Sequence, residues 1–429
     1  MSNTSESLAG KKLLILGGTH FHCELVKAAK RLGVETYVTD YLPFAKSPAK
    51  QLADHAWALS VTDCDALEKR CREEQIDGVV NMYCDPCQRP HQALCERLGL
   101  PCFGTREQYE IFTDKKRFLE LCVRYGVDII PQYQESDFSF DNPAIEYPVY
   151  VKPSDSCATR GQSICRSYAE VAPAIAFARS ESLSGKVVIE RFMENAQDIQ
   201  LTFLLIDGKL HTEFAADKHD GSGKMAGMVT CGIAPSRYMN SVIASALPRI
   251  EHMLLEVGLK NAVIFMQAFV DGDRLRVYDP SMRFPNTDYE LLVREAVGLD
   301  LYEAMVYFAL TGKFPDALRE IDRLQSLDGT VGLLIFIYIR PGTIKHIIGL
   351  EEIRRRGNFL GVMVRYAEGD RIEGWSYNIN QCIYYLMFKS RDLKEAERTI
   401  HDVYDTLQIL DENGEDMKIA LFDTARLWE

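Results

Sequence analysis

The sequence predicts a mixed α/β and α+β chain, with a doubly wound parallel sheet first, an α+β segment in the middle and a small α/β unit at the end. Three observations carry this reading. Apolar strand-like runs alternate with helix-like stretches from Leu13 to about Gly104. A hairpin signal follows at Asp271-Gly272-Asp273, between two apolar runs. A new run of apolar segments then opens at Val331.

The elements follow in order. LLILGG (Leu13–Gly18) reads as a strand closing in glycines, followed by the helix-like ELVKAAKRLG and the strand VETYVTD, which ends at Asp40. HAWALSV, a helix through Leu67–Gln75, the strand DGVVNMY, a helix from Pro86 and a strand near LPCFG continue the alternation. Asp85-Pro86 reads as an N-cap followed by a first-turn proline. A helix runs from Thr113 to about Tyr125, and EYPVYVKP (Glu146–Pro153) is a strand leading into the polar loop SDSCATRGQS. A helix near Ala169–Arg179 precedes KVVIERFMENAQDIQLTFLLIDGKL, which reads as strand, bend, strand and turn. Asn240–Val257 and Glu290–Leu310 read as helices, on either side of the hairpin. The final unit carries strands at Val331–Ile339, Ile344–Ile348 and Gly361–Tyr366 and a helix at Leu393–Leu407.

At 429 residues the chain is long enough for two to four units. With 47% hydrophobic residues and a mean hydropathy of −0.15 it can bury sizeable cores. A net charge of −13 and a pI near 5.3 argue against a nucleic-acid partner, since that affinity comes largely from Lys and Arg meeting phosphates. A small anionic ligand stays compatible, because a local cluster can be basic on an acidic protein. The start MSNTSESLAG has no apolar h-region, and no run approaches the ~18 apolar residues that span a bilayer. A cytoplasmic chain without membrane partners is expected. Twelve scattered cysteines fit reduced thiols better than a disulfide framework.

The stretch with most chemistry is FMQAFVDGDRLRVYDPSMR (Phe265–Arg283). Residues two apart on a strand share a face, so the oxygens of Asp279 and Ser281 and the guanidinium of Arg283 should converge, within reach of Gln267 on the neighbouring strand. Oxygen ligands beside a fixed arginine suit Mg²⁺ and a phosphate or carboxylate. Lys152 closes a strand at a glycine-bearing loop, where backbone N–H groups around Arg160-Gly161 could cradle phosphate oxygens. Lys115 follows Thr113-Asp114 at a helix start. Neither Gly17-Gly18-Thr19-His20 nor Gly221-Ser222-Gly223-Lys224-Met225 completes a dinucleotide or Walker A fingerprint. Cys84, Cys87, His91 and Cys95 have zinc-like spacing, but the same spacing is that of a helix face packing on a sheet, and core is the expected reading.

In this order the motifs resemble the ATP-grasp superfamily of carboxylate–amine ligases, over nearly the whole chain. YPVYVKP and its loop resemble the first phosphate-binding strand of the family. VVIERFMENAQDIQ is similar to the hinge strand of biotin carboxylase and of the carbamoyl phosphate synthetase large subunit. The tail, with PGTIKHIIGLEEI and YAEGDRI, resembles that of amino-acid ligases. The resemblance divides the chain into a pre-ATP-grasp domain (1–108), a two-lobed ATP-grasp domain (109–320, the small lobe about 109–190 and the large lobe from about 191) and a C-terminal part of the large lobe (321–429).

By position, the resemblance implies ATP and Mg²⁺ as cofactors. Lys115 and Lys152 would contact the α- and β-phosphates, under a loop around Thr159–Ser163 that includes Gly161. Glu190 and the backbone of Arg191 and Met193 would meet the adenine edge, and Asp198 the ribose. Gln267 and Asp279 would hold Mg²⁺, with Ser281 where the family usually has Asn, and Arg283 would stabilise the reacting carboxylate or acyl phosphate. The implied reaction joins a small carboxylate, amino acids being one class, to an amine through an acyl phosphate, releasing ADP and phosphate. A bicarbonate-activating or carbamoyl-phosphate-forming enzyme is the alternative within the family, and a non-catalytic nucleotide-binding regulator the alternative outside catalysis. Many relatives are dimers, so a homodimer is the implied assembly. Asp-x-Ser-x-Arg departs from the family's Glu-x-Asn-x-Arg and leaves one formal negative charge on the metal strand. His20, His219 and Tyr289 are candidates for lining the substrate pockets.

Overall fold

The computed structural model describes residues 7–153, 161–182, 184–221, 228–287, 289–376 and 379–428, and the side chains of 322–328 are not described. Four strands near the N-terminus, β1 (Lys12–Leu16), β2 (Glu35–Thr39), β3 (His55–Trp57) and β4 (Gly78–Val80), pair in parallel in the order β3-β2-β1-β4. Their apolar runs are buried on both faces, as parallel strands flanked by helices require. The order reverses between β1 and β4, so the loops after these two strands diverge and leave a crevice at their carboxyl ends.

The expected strand near LPCFG does not form. Gly99 ends the helix Gln88–Leu98 in the left-handed conformation, Pro101 has no N–H to donate, and Thr105 with Gln108 builds a capping box for an unexpected helix, Arg106–Thr113. Too few residues lie between the two caps for a paired strand.

A second sheet holds β5 (Gln132–Tyr133), β6 (Val149–Pro153), β7 (Ser163–Cys165) and β8 (Val187–Arg191) in the order β5-β8-β6-β7. The third is nine-stranded. It contains β9 (Gln197–Ile206), β10 (Lys209–Asp220), β11 (Val229–Ala234), β12 (Ala262–Asp271), β13 (Arg274–Ser281) and β14 (Val331–Ile339). Two-residue β15 (Gly342–Thr343) and β18 (Arg371–Ile372) pair with each other, and β16 (His346–Ile348) pairs with β20 (Gln408–Leu410). β17 (Phe359–Val364) and β19 (Cys382–Ser390) complete the large sheet in the order β13-β12-β9-β10-β11-β14-β19-β17, and β21 (Lys418–Ile419) pairs with β14. Strands β14, β17, β19 and β21 therefore extend the large antiparallel sheet, while β15/β18 and β16/β20 form two small two-stranded sheets beside it.

The helix expected over Glu290–Leu310 is two helices, Tyr289–Val297 and Leu301–Thr311. Gly298, at φ +73°, separates them, and the Asp300 carboxylate caps the second by accepting from the Glu303 N–H. Helix Leu301–Thr311 packs on β4 so closely that a Cβ on Gly78 would lie 2.5 Å from the Ala309 carbonyl. Arg31 adds ion pairs to Asp300 and Glu303, at 2.6 and 2.8 Å. These contacts clamp the parallel sheet onto the large one and bring the β1–β4 crevice to the end of β13. Among the described residues, no helix is long and apolar enough to cross a membrane.

Candidate functional site

The hairpin β12–β13 lies at the edge of the large sheet and carries the predicted oxygen ligands. Gln267 faces Asp279 across the pair, while the next pair joins Ala268 to Val277, so Tyr278 is an extra residue in a β-bulge. The bulge turns Tyr278 and Asp279 toward the same side, which simple alternation forbids. The Tyr278 hydroxyl lies 3.0 Å from both the Asp198 carboxylate and the Gln267 side-chain oxygen.

Lys218, on β10, completes this group. Its ammonium pairs with Asp198 at 2.7 Å and donates to the Gln267 oxygen at 2.7 Å and the Tyr278 hydroxyl at 3.2 Å. The Gln267 amide then donates to Asp279 at 3.2 Å, and the other Asp279 oxygen meets Lys115 at 3.1 Å. A single hydrogen-bonded chain thus runs Asp198–Lys218–Gln267–Asp279–Lys115. Burial raises the Asp198 pKa, against the opposing pull of the Lys218 charge. Burial likewise holds the Tyr278 phenol well above its usual value, so it stays a neutral hydroxyl.

Ser281 and Arg283 do not join that chain. Both turn to Asp85, in the loop after β4. The Arg283 Nε and Nη2 groups meet the two Asp85 oxygens at 2.5 Å each, and the Ser281 hydroxyl donates to Asp85 at 3.1 Å. Gln88 donates to the same carboxylate at 3.0 Å. The expected convergence of Asp279, Ser281 and Arg283 is therefore split into an Asp279 cluster and an Asp85 cluster along one strand end. Sequence reasoning read Asp85 only as a helix cap. It missed Lys218 and Tyr278 altogether, although the charged run Asp217-Lys218-His219-Asp220 at the end of a strand, just after Phe214-Ala215-Ala216, was a usable signal.

On the second sheet the Lys152 ammonium pairs with Glu190, and it also lies over the Tyr150 ring at 5.4 Å. The Arg191 side chain bridges the sheets, reaching Asp271 at 2.7 Å and Glu146 at 3.2 Å. The Arg191 backbone N–H donates to the Pro131 carbonyl, so that donor faces away from any ligand. Met193 is buried at the end of this segment. Gly161 takes φ +76°, and a Cβ there would stand 2.7 Å from both Pro153 and Glu181, so a side chain is excluded where the loop returns to its strand. Thr159, Arg160 and the Ser222–Met225 segment lie outside the described residues.

The remaining candidates fall into three places. His20 is exposed at the β1 end of the crevice. His219 is buried 5.0 Å from the Phe422 ring, and burial lowers its pKa to about 4. Tyr289 is buried with its ring 4.0 Å from Phe214 and its hydroxyl against Gly232, in core rather than pocket. The zinc-like set also divides. His91 and Cys95 group with Cys102, their ligand atoms within 4.8 Å of one another, while Cys84 and Cys87 stand apart from them on the turn after β4 as free thiols.

The donor set fits a divalent cation in one respect. Asp279 is a half-exposed carboxylate whose present partner, Lys115, is itself exposed and could turn to a phosphate. The Gln267 oxygen already faces both Lys218 and Tyr278, so Gln267 serves here to orient Asp279.

A family model described as the carbamoyl-phosphate synthase L chain, ATP-binding domain, matches residues 114–214. A formate-dependent phosphoribosylglycinamide formyltransferase from Hydrogenovibrio crunogenus is 28% identical over 219 residues, which is 50% of this chain and 54% of that protein. The chain spans about half the length of the first curated relatives it matches. The crystal structure of phosphoribosylglycinamide synthetase from Anaerococcus prevotii superposes with a TM-score of 0.76 at 18% identity, over 94% of this chain and 100% of that one. The L-amino acid ligase from Bacillus licheniformis superposes equally well, at 17% identity and with the same coverage.

Proposed function

From the premise that this chain belongs to the ATP-grasp superfamily, we propose that it is an ADP-forming ligase that activates a small carboxylate with ATP and passes the acyl group to an amine. One observation carries the reading. Arg283, a buried guanidinium, is held in a fixed bidentate geometry by Asp85 at the end of the strand that carries Asp279, the carboxylate that pairs with Lys115.

Each side chain then has a task. Lys115 and Lys152 leave their carboxylate partners to meet the phosphates. Glu190, the Arg191 carbonyl and Met193 border the adenine, and Asp198 borders the ribose, its carboxylate oriented by Lys218 and Tyr278. Asp279 would hold Mg²⁺ together with the triphosphate, with Gln267 orienting the carboxylate and Ser281 near Arg283 on Asp85. When bound, the cation neutralises charge on the transferring phosphoryl group. Arg283 binds the carboxylate in line with that group and then stabilises the acyl phosphate, so positioning and charge account for most of the catalysis. Asp85 fixes the guanidinium through both its oxygens.

The acid is a small one on this reading. The curated relatives are named for formate, and one structural neighbour for amino acids. ADP release should be followed with Mg²⁺-ATP and a panel of formate, bicarbonate and amino acids, each with and without amines, with Arg283→Ala as the control. Stimulation by one acid–amine pair that disappears in the variant supports the ligase. Stimulation by bicarbonate alone turns the reading to a carboxyl-phosphate enzyme. ATP binding without turnover under every mixture points to a regulator.

A further inference from the structure

We propose that His91, Cys95 and Cys102 form a binding site for one zinc ion, which staples the edge of the parallel sheet to the two helices beside it. The site takes no residue from the Asp279 or Asp85 cluster, so it stands apart from the ligase reading.

Among the described residues, these are the only three His, Cys, Asp or Glu side chains whose ligand atoms all lie within 4.8 Å of one another. The sequence builds the group locally. His91 and Cys95 stand one turn apart on the helix Gln88–Leu98 and share a face. Gly99, at φ +68°, ends that helix, and a bond of 2.9 Å from the Leu100 N–H to the Cys95 carbonyl folds the chain back. Cys102 thereby returns to the same face, its sulfur 3.9 Å from His91 Nδ1.

His91 is arranged as a ligand. Its Nε2 lies 3.0 Å from the Val79 carbonyl on β4, the edge strand of the parallel sheet. A carbonyl only accepts, so Nε2 carries the proton and the Nδ1 lone pair faces the Cys102 sulfur. An imidazole fixed by a carbonyl at one nitrogen and presenting the other is the outer-shell pattern of metal-bound histidine. Packing alone explains buried thiols as small apolar groups, but it does not call for a nitrogen lone pair aimed at one of them. Tyr109, on the helix Arg106–Thr113, places its hydroxyl 3.5 Å from the same sulfur. It accepts from the thiol and donates once that sulfur is a thiolate.

Two thiolates and one imidazole are a zinc donor set that leaves the fourth position to water. Tetrahedral bonds of about 2.3 Å to sulfur and about 2.0 Å to nitrogen hold the ligand atoms about 3.5–3.8 Å apart. From their present spacing each atom moves by less than about 1 Å. Zn²⁺ displaces the two thiol protons to solvent, and its charge cancels that of the two thiolates, so the buried group gains no net charge. His91 and Cys95 are buried, while Cys102 is half-buried and gives the ion a way in. Mg²⁺ takes oxygen ligands and is not held here.

The test uses the full chain, reduced, stripped with a chelator and titrated with zinc chloride or cobalt chloride. Elemental analysis after dialysis should find one zinc per native chain. Cobalt should give thiolate-to-metal charge-transfer absorption, and zinc should raise the melting temperature by about 3 °C or more. Excess Mg²⁺ should displace neither ion. Cys95→Ser and Cys102→Ser should each weaken zinc binding at least about a hundredfold, because loss of an outer-shell partner alone costs about 10–100-fold. Cys84→Ser, outside the group, should bind zinc as the native chain does. Cys102 is half-buried, so Cys102→Ser decides the matter even where Cys95→Ser fails to fold. A reduced native chain that retains no zinc overturns the site. Zinc that survives Cys102→Ser, or that is lost in Cys84→Ser, overturns the assignment of its ligands. None of these outcomes depends on the substrates of the ligase.

Discussion

Asp85 and Arg283 stand 198 residues apart in the chain and meet through both carboxylate oxygens and two guanidinium nitrogens. The arginine side chain is 7% exposed and the aspartate 55%, so a buried cation is anchored by a carboxylate that looks into the crevice. The contact ties the end of β13 to the loop after β4, across two sheets. It makes the geometry of the candidate site depend on how those sheets dock.

Arg283→Lys should lower turnover by about 10²-fold or more while the protein stays folded, because an ammonium keeps the charge and loses the bidentate fork. Asp85→Ala should cost about 2 kcal/mol in urea unfolding, since it leaves the buried guanidinium without its carboxylate. Steady-state kinetics and equilibrium unfolding of the two variants test these outcomes separately.

Tyr278→Phe removes one hydroxyl from the Asp198–Lys218–Gln267 chain and should cost about 1 kcal/mol of stability. Lys218→Met should cost more, because it leaves the partly buried Asp198 carboxylate without its charged partner. Both should raise KM for ATP more than they lower kcat. An unchanged KM in Lys218→Met would remove Asp198 from the nucleotide site.

Gly161→Ala forces a Cβ into Pro153 and Glu181 at a positive φ. A penalty of about 1–3 kcal/mol is expected locally. It should appear as weaker ATP binding in calorimetry, with the melting temperature of the nucleotide-free protein falling only a little, because the strain lies at a loop end.

Glu213, wholly buried on β10, is pushed by burial from 4.5 to about 8, against a smaller opposing effect of the Thr202 hydroxyl. A carboxyl whose folded pKa is raised holds its proton longer in the folded state. Its contribution is therefore complete below pH 4.5 and is lost as pH rises toward about 8. Glu213→Gln should flatten this dependence. The stability difference between variant and native sequence should change by at most about 1.4 kcal/mol per pH unit across that window. A constant difference from pH 5 to pH 8, read by thermal melts, would show that Glu213 ionises freely.

Local pattern made much of this legible. Strands β1 and β2 and the hairpin β12–β13 follow from short-range periodicity and turn chemistry, and so does the capped helix Lys115–Arg124. The same patterns put Gln267, Asp279 and Arg283 on one hairpin, because residue spacing on a strand is a local property. Misreadings arose where a local signal served a distant partner. Asp85 resembled a helix cap, Tyr278 sat on the wrong parity for the site, and Pro101 interrupted a run that otherwise read as a strand.

By itself the sequence determined the alternation of elements, the family resemblance and the residue types that can handle phosphate, metal and carboxylate. Only the tertiary structure decided that Ser281 and Arg283 answer to Asp85, that Lys218 and Tyr278 orient Asp198 and Gln267, and that β14, β17 and β19 continue one large sheet. The physical reason is range. Backbone hydrogen bonding and periodicity act over a few residues, whereas buried charges find their partners wherever packing brings them together, here across 198 residues of chain.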